Sequence, residues 1–491
     1  MNKYEILVNT LDQIRKEAPS EYKSYYPLEG NSHGIDAARS KALIHLFLKV
    51  KFGILDFKER EEHITEGTQD GGIDAYYIDD EFKQVFYIQS KFRTNEKNFS
   101  EKEIVLSELL NMDLDRIAKG EVEDAKGIPY NSKILKMIDQ LKRKPDRGIW
   151  KHNVVIVANL NKSISDEQIM KLTGGFAATI YNHEKVYEDL LFHCIQGTYY
   201  NPKELVLALN LSNTSTSSSR IKYKVQTRVF ECEIQVLFIP TFEIAKALYK
   251  YKNSILRYNL RSYLELANNN VNRDIAKSIK DLNCNEFALY NNGITMLSTD
   301  TVYSEQTFEK YAGQLLIKQP QIINGGQTAF TLSRLYEDCL NAKEDMSIFE
   351  GKEVLLKVIK LPSTTVDQPE IRELMEAISK ATNYQTAIED ADRRANDLIQ
   401  IQLQENIYRD FGYFYERKRG EFADGIRYHY LHRSQLIDRE TFIRLSKCCD
   451  LEPSEARRSS KSQLFQPQNF SKTLNDISRY KERLMWNQKV D

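Results

Sequence analysis

Residues 67–92, GTQDGGIDAYYIDDEFKQVFYIQSKF, set an aspartate, a glutamine and a lysine where an antiparallel hairpin would bring them together. The polar segment DDEFK separates two strand-like runs, 73–79 and 84–92. A hairpin closing around Glu81 and Phe82 places Asp74 opposite Gln89, with Cβ atoms about 5 Å apart. Side chains alternate along a strand, so Gln89 and Lys91 share one face while Phe86, Ile88 and Phe92 take the other. Such a trio suits metal-assisted phosphodiester hydrolysis. A hard divalent cation, Mg2+ or Mn2+, takes oxygen ligands, here the Asp74 carboxylate, the Gln89 amide and the backbone carbonyl of Ser90. Lys91 is then placed to orient or deprotonate the attacking water and to offset charge at phosphorus. Gly71 and Gly72, just upstream, permit a close backbone approach. Spacing alone is equally compatible with a surface hairpin carrying a weak Asp–Lys pair.

The elements needed to hold the hairpin are legible around it. In GIDAARSKALIHLFLKVKFG, residues 34–53, Ala38, Ala42, Leu43, Leu46, Phe47 and Val50 recur at helical spacing. ILDF reads as a short strand, and helical patterns occupy about 101–119 and 131–144. HNVVIVANL reads as a strand buried on both faces. Helix, three strands, helix, strand is an α/β order. In this setting GTQDGGIDAYYID followed by YIQSKF resembles the PD-(D/E)XK nuclease core in its Mrr-like variety. The resemblance implies a restriction-endonuclease-like domain, a mixed sheet flanked by helices, with Asp74, Gln89 and Lys91 in the catalytic positions. It also implies a further acidic residue, for which Asp36, Glu66 and Asp70 are the candidates. Gln89 stands where glutamate is commoner in the parent superfamily, which lowers the charge of the site.

The Ser/Thr/Asn-rich segment 209–220, LNLSNTSTSSSR, reads as an exposed connection between residues 1–208 and a larger α+β region, 221–491, with a helical C-terminal part. Four stretches of that region stand out. FALYNNGITML reads as strand, turn, strand, and PQIINGGQT as strand, Gly-Gly turn and helix start. ATNYQTAIEDAD opens an acidic helix, and FYERKRGE is a basic, aromatic run. With the arginine- and asparagine-rich lead-in at 259–279, these motifs, over about 255–422, resemble the AIPR family, named for abortive infection phage resistance. That resemblance implies prokaryotic antiviral defence. In the basic run Arg417, Lys418, Arg419 and Arg427 interleave with Tyr415 and its aromatic neighbours, a pattern suited to phosphates and unpaired bases; a core element with a solvated turn accounts for it equally well.

Over 491 residues the net charge is −1, so any nucleic-acid surface must be a local patch. Six scattered cysteines without C-x-x-C spacing give no zinc signature and suit a reducing compartment. No run is apolar enough to cross a membrane, and the N-terminus lacks a signal-peptide core. The expectation is a cytoplasmic, Mg2+-dependent endonuclease acting on DNA, with a phage-derived trigger and a homo-oligomer as further expected partners. A nucleic-acid-binding sensor or scaffold with an inactive nuclease fold is the alternative.

Overall fold

Two helices open the chain in the computed structural model, α1 (Lys3–Arg15) and α2 (Ser32–Phe52). The structure describes residues 2–104, 112–161, 164–212, 220–227, 230–259, 270–282, 284, 286–305, 310–362, 374, 377–378, 381, 389–474 and 476–487. Each helix starts on an asparagine whose side chain accepts a free backbone N–H, Asn2 from Glu5 and Asn31 from Gly34. α2 stops at Gly53, whose φ of 67° is the left-handed conformation of a glycine cap. Ala38, Ala42, Leu43, Leu46, Phe47 and Val50 are all buried, as their spacing predicts. The strand expected at ILDF does not form. Asp56 accepts a hydrogen bond from the Glu59 amide instead and starts α3 (Phe57–His63).

The hairpin follows as β1 (Ala75–Asp79) and β2 (Gln84–Ser90), antiparallel, with Ala75 against Ile88 and Asp79 against Gln84. This is the register read from the sequence. Ahead of the hairpin, beyond α3, there is only an isolated antiparallel bridge from Ile64 to Ala75 among the described residues. Helix α4 (Ser132–Lys142) leads to β3 (Lys151–Val157) and β4 (Ala177–Ile180), which run parallel to β2 and complete a sheet ordered β1-β2-β3-β4. On one face Tyr76, Val85, Tyr87, Val154 and Ile156 share a core with Ile134, Met137 and Ile138 of α4. On the other, Phe52 of α2 stacks on Tyr77 at 4.0 Å and meets Phe86 at 5.0 Å between ring centroids. A continuous helix over 183–196, α5, has π-helical middle turns. Of the helix expected at about 101–119, Leu114–Ala118 is helical and 105–111 lies outside the described residues.

The chain divides into two compact units, 1–195 with 428–431, and 196–427 with 432–491. The division precedes the expected connector because β5 (Glu204–Asn210) belongs to the second unit's sheets; residues 213–219 of the connector lie outside the described residues. The second unit continues with β6 (Arg220–Gln226), β7 (Glu231–Pro240), α6 (Thr241–Tyr251), β8 (Ile294–Ser298), β9 (Asp300–Ser304), β10 (Ala312–Lys318), β11 (Gln321–Asn324), α7 (Gly326–Ala342) and β12 (Glu353–Lys360). Its strands form a sheet ordered β11-β8-β12-β7-β6 and a smaller one ordered β9-β10-β5. Ile244 and Leu248 of α6 and Leu332 and Leu335 of α7 pack in the core beneath. The C-terminal part is largely helical, around α8 (Leu398–Phe411) and α9 (Arg439–Cys449), with a short parallel pair, β13 (Phe414–Glu416) and β14 (Leu436–Asp438), between them. The whole is mixed α/β, several sheets flanked by helices.

The Asn-Asn-Gly and Asn-Gly-Gly motifs turn out to be one feature. Phe287–Tyr290 is a helical turn, not the strand expected, and β8 begins after Gly293. Gly293 (φ 82°) and Gly325 (φ 80°) turn back to back: a Cβ on Gly325 would lie 2.6 Å from the Gly293 carbonyl oxygen. Asn291 Oδ1 accepts from the Gly293 amide, and its Nδ2 donates to Thr328 Oγ1 at the start of α7. The asparagines and glycines therefore build tight turns. A Cβ on Gly326 would lie 2.9 Å from Asn259 Nδ2, so the α7 N-terminus is crowded by protein.

Candidate active site

The hairpin's amino end is tied from three sides. The Asp74 amide donates to the Ile88 carbonyl at 2.9 Å, and the Asp74 carbonyl accepts from the Thr65 and Glu66 amides at 2.9 and 3.0 Å. Its carboxylate reaches across the pair, Oδ2 accepting from the Ser90 amide at 2.7 Å. Asp74 is thus fixed beside the Gln89-Ser90-Lys91 run, and the Glu66 backbone is fixed beside Asp74. The preceding loop supplies the approach. Asp70 Oδ1 and Oδ2 accept from the Gly72 and Gly67 amides at 2.9 and 3.0 Å. Gly71, with φ 63°, sits where a Cβ would meet Ile117 Cδ1 at 2.7 Å.

Burial pushes the Asp74 carboxyl up to about 7; the Ser90 amide and Lys91 oppose the shift, while Glu66 and Asp70 add to it. Glu66 is also raised, by burial first and by Asp70 and Glu61, with Lys41 and Lys91 working the other way. Asp74, Glu66, Asp70 and Lys91 therefore share one electrostatic neighbourhood. Glu66 Oε2 and Ser90 Oγ are enclosed without a hydrogen-bond partner, and Gln89 and Ser90 are buried. Among the described residues no three Asp, Glu, His or Cys side chains converge as a metal cage. A cation here would rest on the mixed oxygen set anticipated from sequence. The residues fit a hard divalent ion: burial and neighbouring carboxylates raise the pKa values of two carboxylates, and a buried carboxylate oxygen on Glu66 is unsatisfied.

Of the three acidic candidates, Glu66 and Asp70 join Asp74 and Asp36 does not. Asp36 lies 3.9 Å from Arg39 on its own helix and is absent from the charges that act on Asp74. Asp70 is engaged by its own loop amides, which leaves Glu66 as the better second carboxylate. Lys41 of α2, unmarked in the sequence reading, faces Glu66 electrostatically and sits 5.8 Å from the Tyr25 ring centroid. A lysine directly before the helix's apolar run, 42–48, was the available signal.

The basic, aromatic run of the second unit is not a free surface. Tyr415 is fully buried, edge-on to Phe442 at 5.5 Å, with its hydroxyl on Gln400 Oε1. Lys418 is buried too; its Nζ donates to the Arg257 carbonyl at 2.5 Å, and burial drives its pKa well below the usual lysine range. Arg417 pairs with Glu421 at 3.0 Å, and Arg419 with Glu389 and Asp392 at 3.0 and 3.1 Å. Arg427 pairs with Glu337 and Asp338 at 3.5 and 3.4 Å. Asp392 lies in the first turn of a short helix, Asp390–Arg393, as expected, and is also a buried partner of Arg439. Tyr415 and Lys418 therefore belong to the core, Arg417 and Arg419 are held in ion pairs, and Arg427 stays exposed beside Glu337 and Asp338.

No helix among the described residues is long and apolar enough to cross a membrane. No curated protein and no solved structure matches the chain. Residues 256–489 match the model of the AIPR protein family.

Proposed function

We propose that this chain is a metal-dependent endonuclease of prokaryotic phage defence, cutting phosphodiester bonds of DNA at the Asp74–Gln89–Lys91 hairpin. The observation that carries the reading is the bond from the Ser90 amide to Asp74 Oδ2, which sets the carboxylate against the Gln89-Ser90-Lys91 run. The raised pKa values of Asp74 and Glu66 support it, as sites that act on charged intermediates hold such groups. The AIPR match supports the defence role.

A divalent cation supplies Lewis-acid polarisation of the scissile phosphate and lowers the pKa of bound water. Asp74, with Gln89, the Ser90 carbonyl and Glu66, holds the oxygen donors for it. Lys91, in the electrostatic field of both carboxylates, holds the attacking water and offsets negative charge as it develops on the phosphate. The test is cleavage of supercoiled plasmid, linear duplex, single-stranded DNA and RNA with Mg2+, Mn2+ or EDTA. Wild type should cut with metal only, and Asp74→Ala and Lys91→Ala should both fail. Binding without cutting by wild type, under every condition and during phage infection, would favour the sensor reading instead.

A further inference from the structure

Strands β2, β3 and β4 run parallel, and just beyond their carboxyl ends the chain lines a narrow cleft. Lys91 and Arg93 follow β2, Ala158 and Asn159 follow β3, and Tyr181 and His183 follow β4. The carboxyl edge of an open α/β sheet is where such folds gather ligands. Asn159 fixes the walls: its Nδ2 donates to the Phe99 carbonyl at 2.8 Å and its Oδ1 accepts from the His183 amide at 2.9 Å. α5 begins there, and its dipole adds positive potential.

The cleft's charge is one-sided. Lys91, Arg93 and Lys102 line it, and no carboxylate does among the described residues. Neither Arg93 nor Lys102 has an ion-pair partner among the described residues. Lys91 faces Asp74 and Glu66, but Arg93 and Lys102, beside an apolar floor that includes Phe99 and Val157, leave positive charge that an anion would offset. Lys91 belongs to both the cleft and the candidate active site, so one strand of nucleic acid can occupy both.

We propose that the Lys91–Arg93–Lys102 cleft binds a phosphate group of the nucleic-acid strand next to the bond being cut. The class of ligand rests on the nuclease reading. The phosphate is either an internal phosphodiester or a terminal phosphate, and binding separates the two. The experiment uses the full chain carrying Asp74→Ala, in EDTA, so that binding is read without cutting. Fluorescence anisotropy compares 5′-phosphorylated and 5′-hydroxyl single-stranded oligonucleotides over a salt series, with and without Arg93→Gln and Lys102→Gln. Lys102 is exposed, so its change leaves the fold intact. Each substitution should weaken binding several-fold and reduce the slope of log affinity against log salt by about 0.7. Equal affinity for the two oligonucleotides marks an internal phosphodiester; a 5′-phosphate advantage that the substitutions remove marks a terminal one. Unchanged affinity and slope in the double substitution, or no binding by the parent chain, would overturn the cleft. Binding lost in these variants when no form of the protein cuts would uphold the cleft and remove the nuclease. Cutting by wild type with binding unchanged in the variants would remove the cleft alone.

Discussion

At Asp74, burial works hardest against the negative charge, and Glu66 and Asp70 add to it; the Ser90 amide and Lys91 restore only part. The metal-free fold therefore carries a carboxylate it would be more stable without. Asp74→Asn is expected to raise stability in EDTA by about 1–3 kcal/mol while abolishing cleavage. Urea unfolding checks this, and a lower midpoint would make Asp74 a structural residue. Glu17 is the opposite case. Burial alone would raise it, but Lys49, at 2.6 Å, and Arg60 hold it at about 2. With the folded pKa below the ordinary 4.5, its stabilisation is complete above that pH and lost as pH falls through about 2. Glu17→Gln leaves Arg60, with none of its surface exposed, without its carboxylate and should cost about 3 kcal/mol at pH 7. The difference from wild type should shrink as pH falls below 4.5; a constant difference would mean the loss is one of packing.

At the scale of elements, the Gly71 turn sets where β1 starts. Gly71→Ala puts a Cβ against Ile117 in a left-handed backbone and should cost about 1–3 kcal/mol, with cleavage falling further than stability alone requires. Wild-type cleavage in a folded Gly71→Ala protein would show that the turn's position is not critical. The hairpin register was legible because the polar turn around Glu81 and Phe82 fixes the pairing; the core face was not, since Val85 and Tyr87, on the Gln89 face, are fully buried while Phe86 and Phe92 are only half-buried. ILDF was misread because four residues carry no periodicity, and Asp56 with Glu59 decides for helix. FALY failed similarly, being too short to show its period. The basic run misled for a different reason. Composition displays Arg417, Lys418 and Arg419, but not that Asp392 pairs with Arg419 or that Lys418 is buried against the Arg257 carbonyl. Glu66 was legible only as one of three acids; the backbone bonds to the Asp74 carbonyl single it out.

At the scale of the molecule, the candidate chemistry lies in the first unit and the AIPR match in the second. Each has its own core, one around Tyr87 and Ile156 and one around Leu248 and Leu332. Calorimetry should show more than one unfolding transition, with Glu17→Gln lowering one and sparing another. A single transition displaced as a whole would show that the units unfold as one.

The central claim is that the Asp74 hairpin cuts nucleic acid, and the direct measurement is plasmid cleavage by wild type and Asp74→Ala with Mg2+, alongside binding in EDTA. The account predicts cutting by wild type, none by Asp74→Ala, and binding by the variant at least as tight. Equal cutting by both proteins would contradict it and move the chemistry elsewhere in the chain.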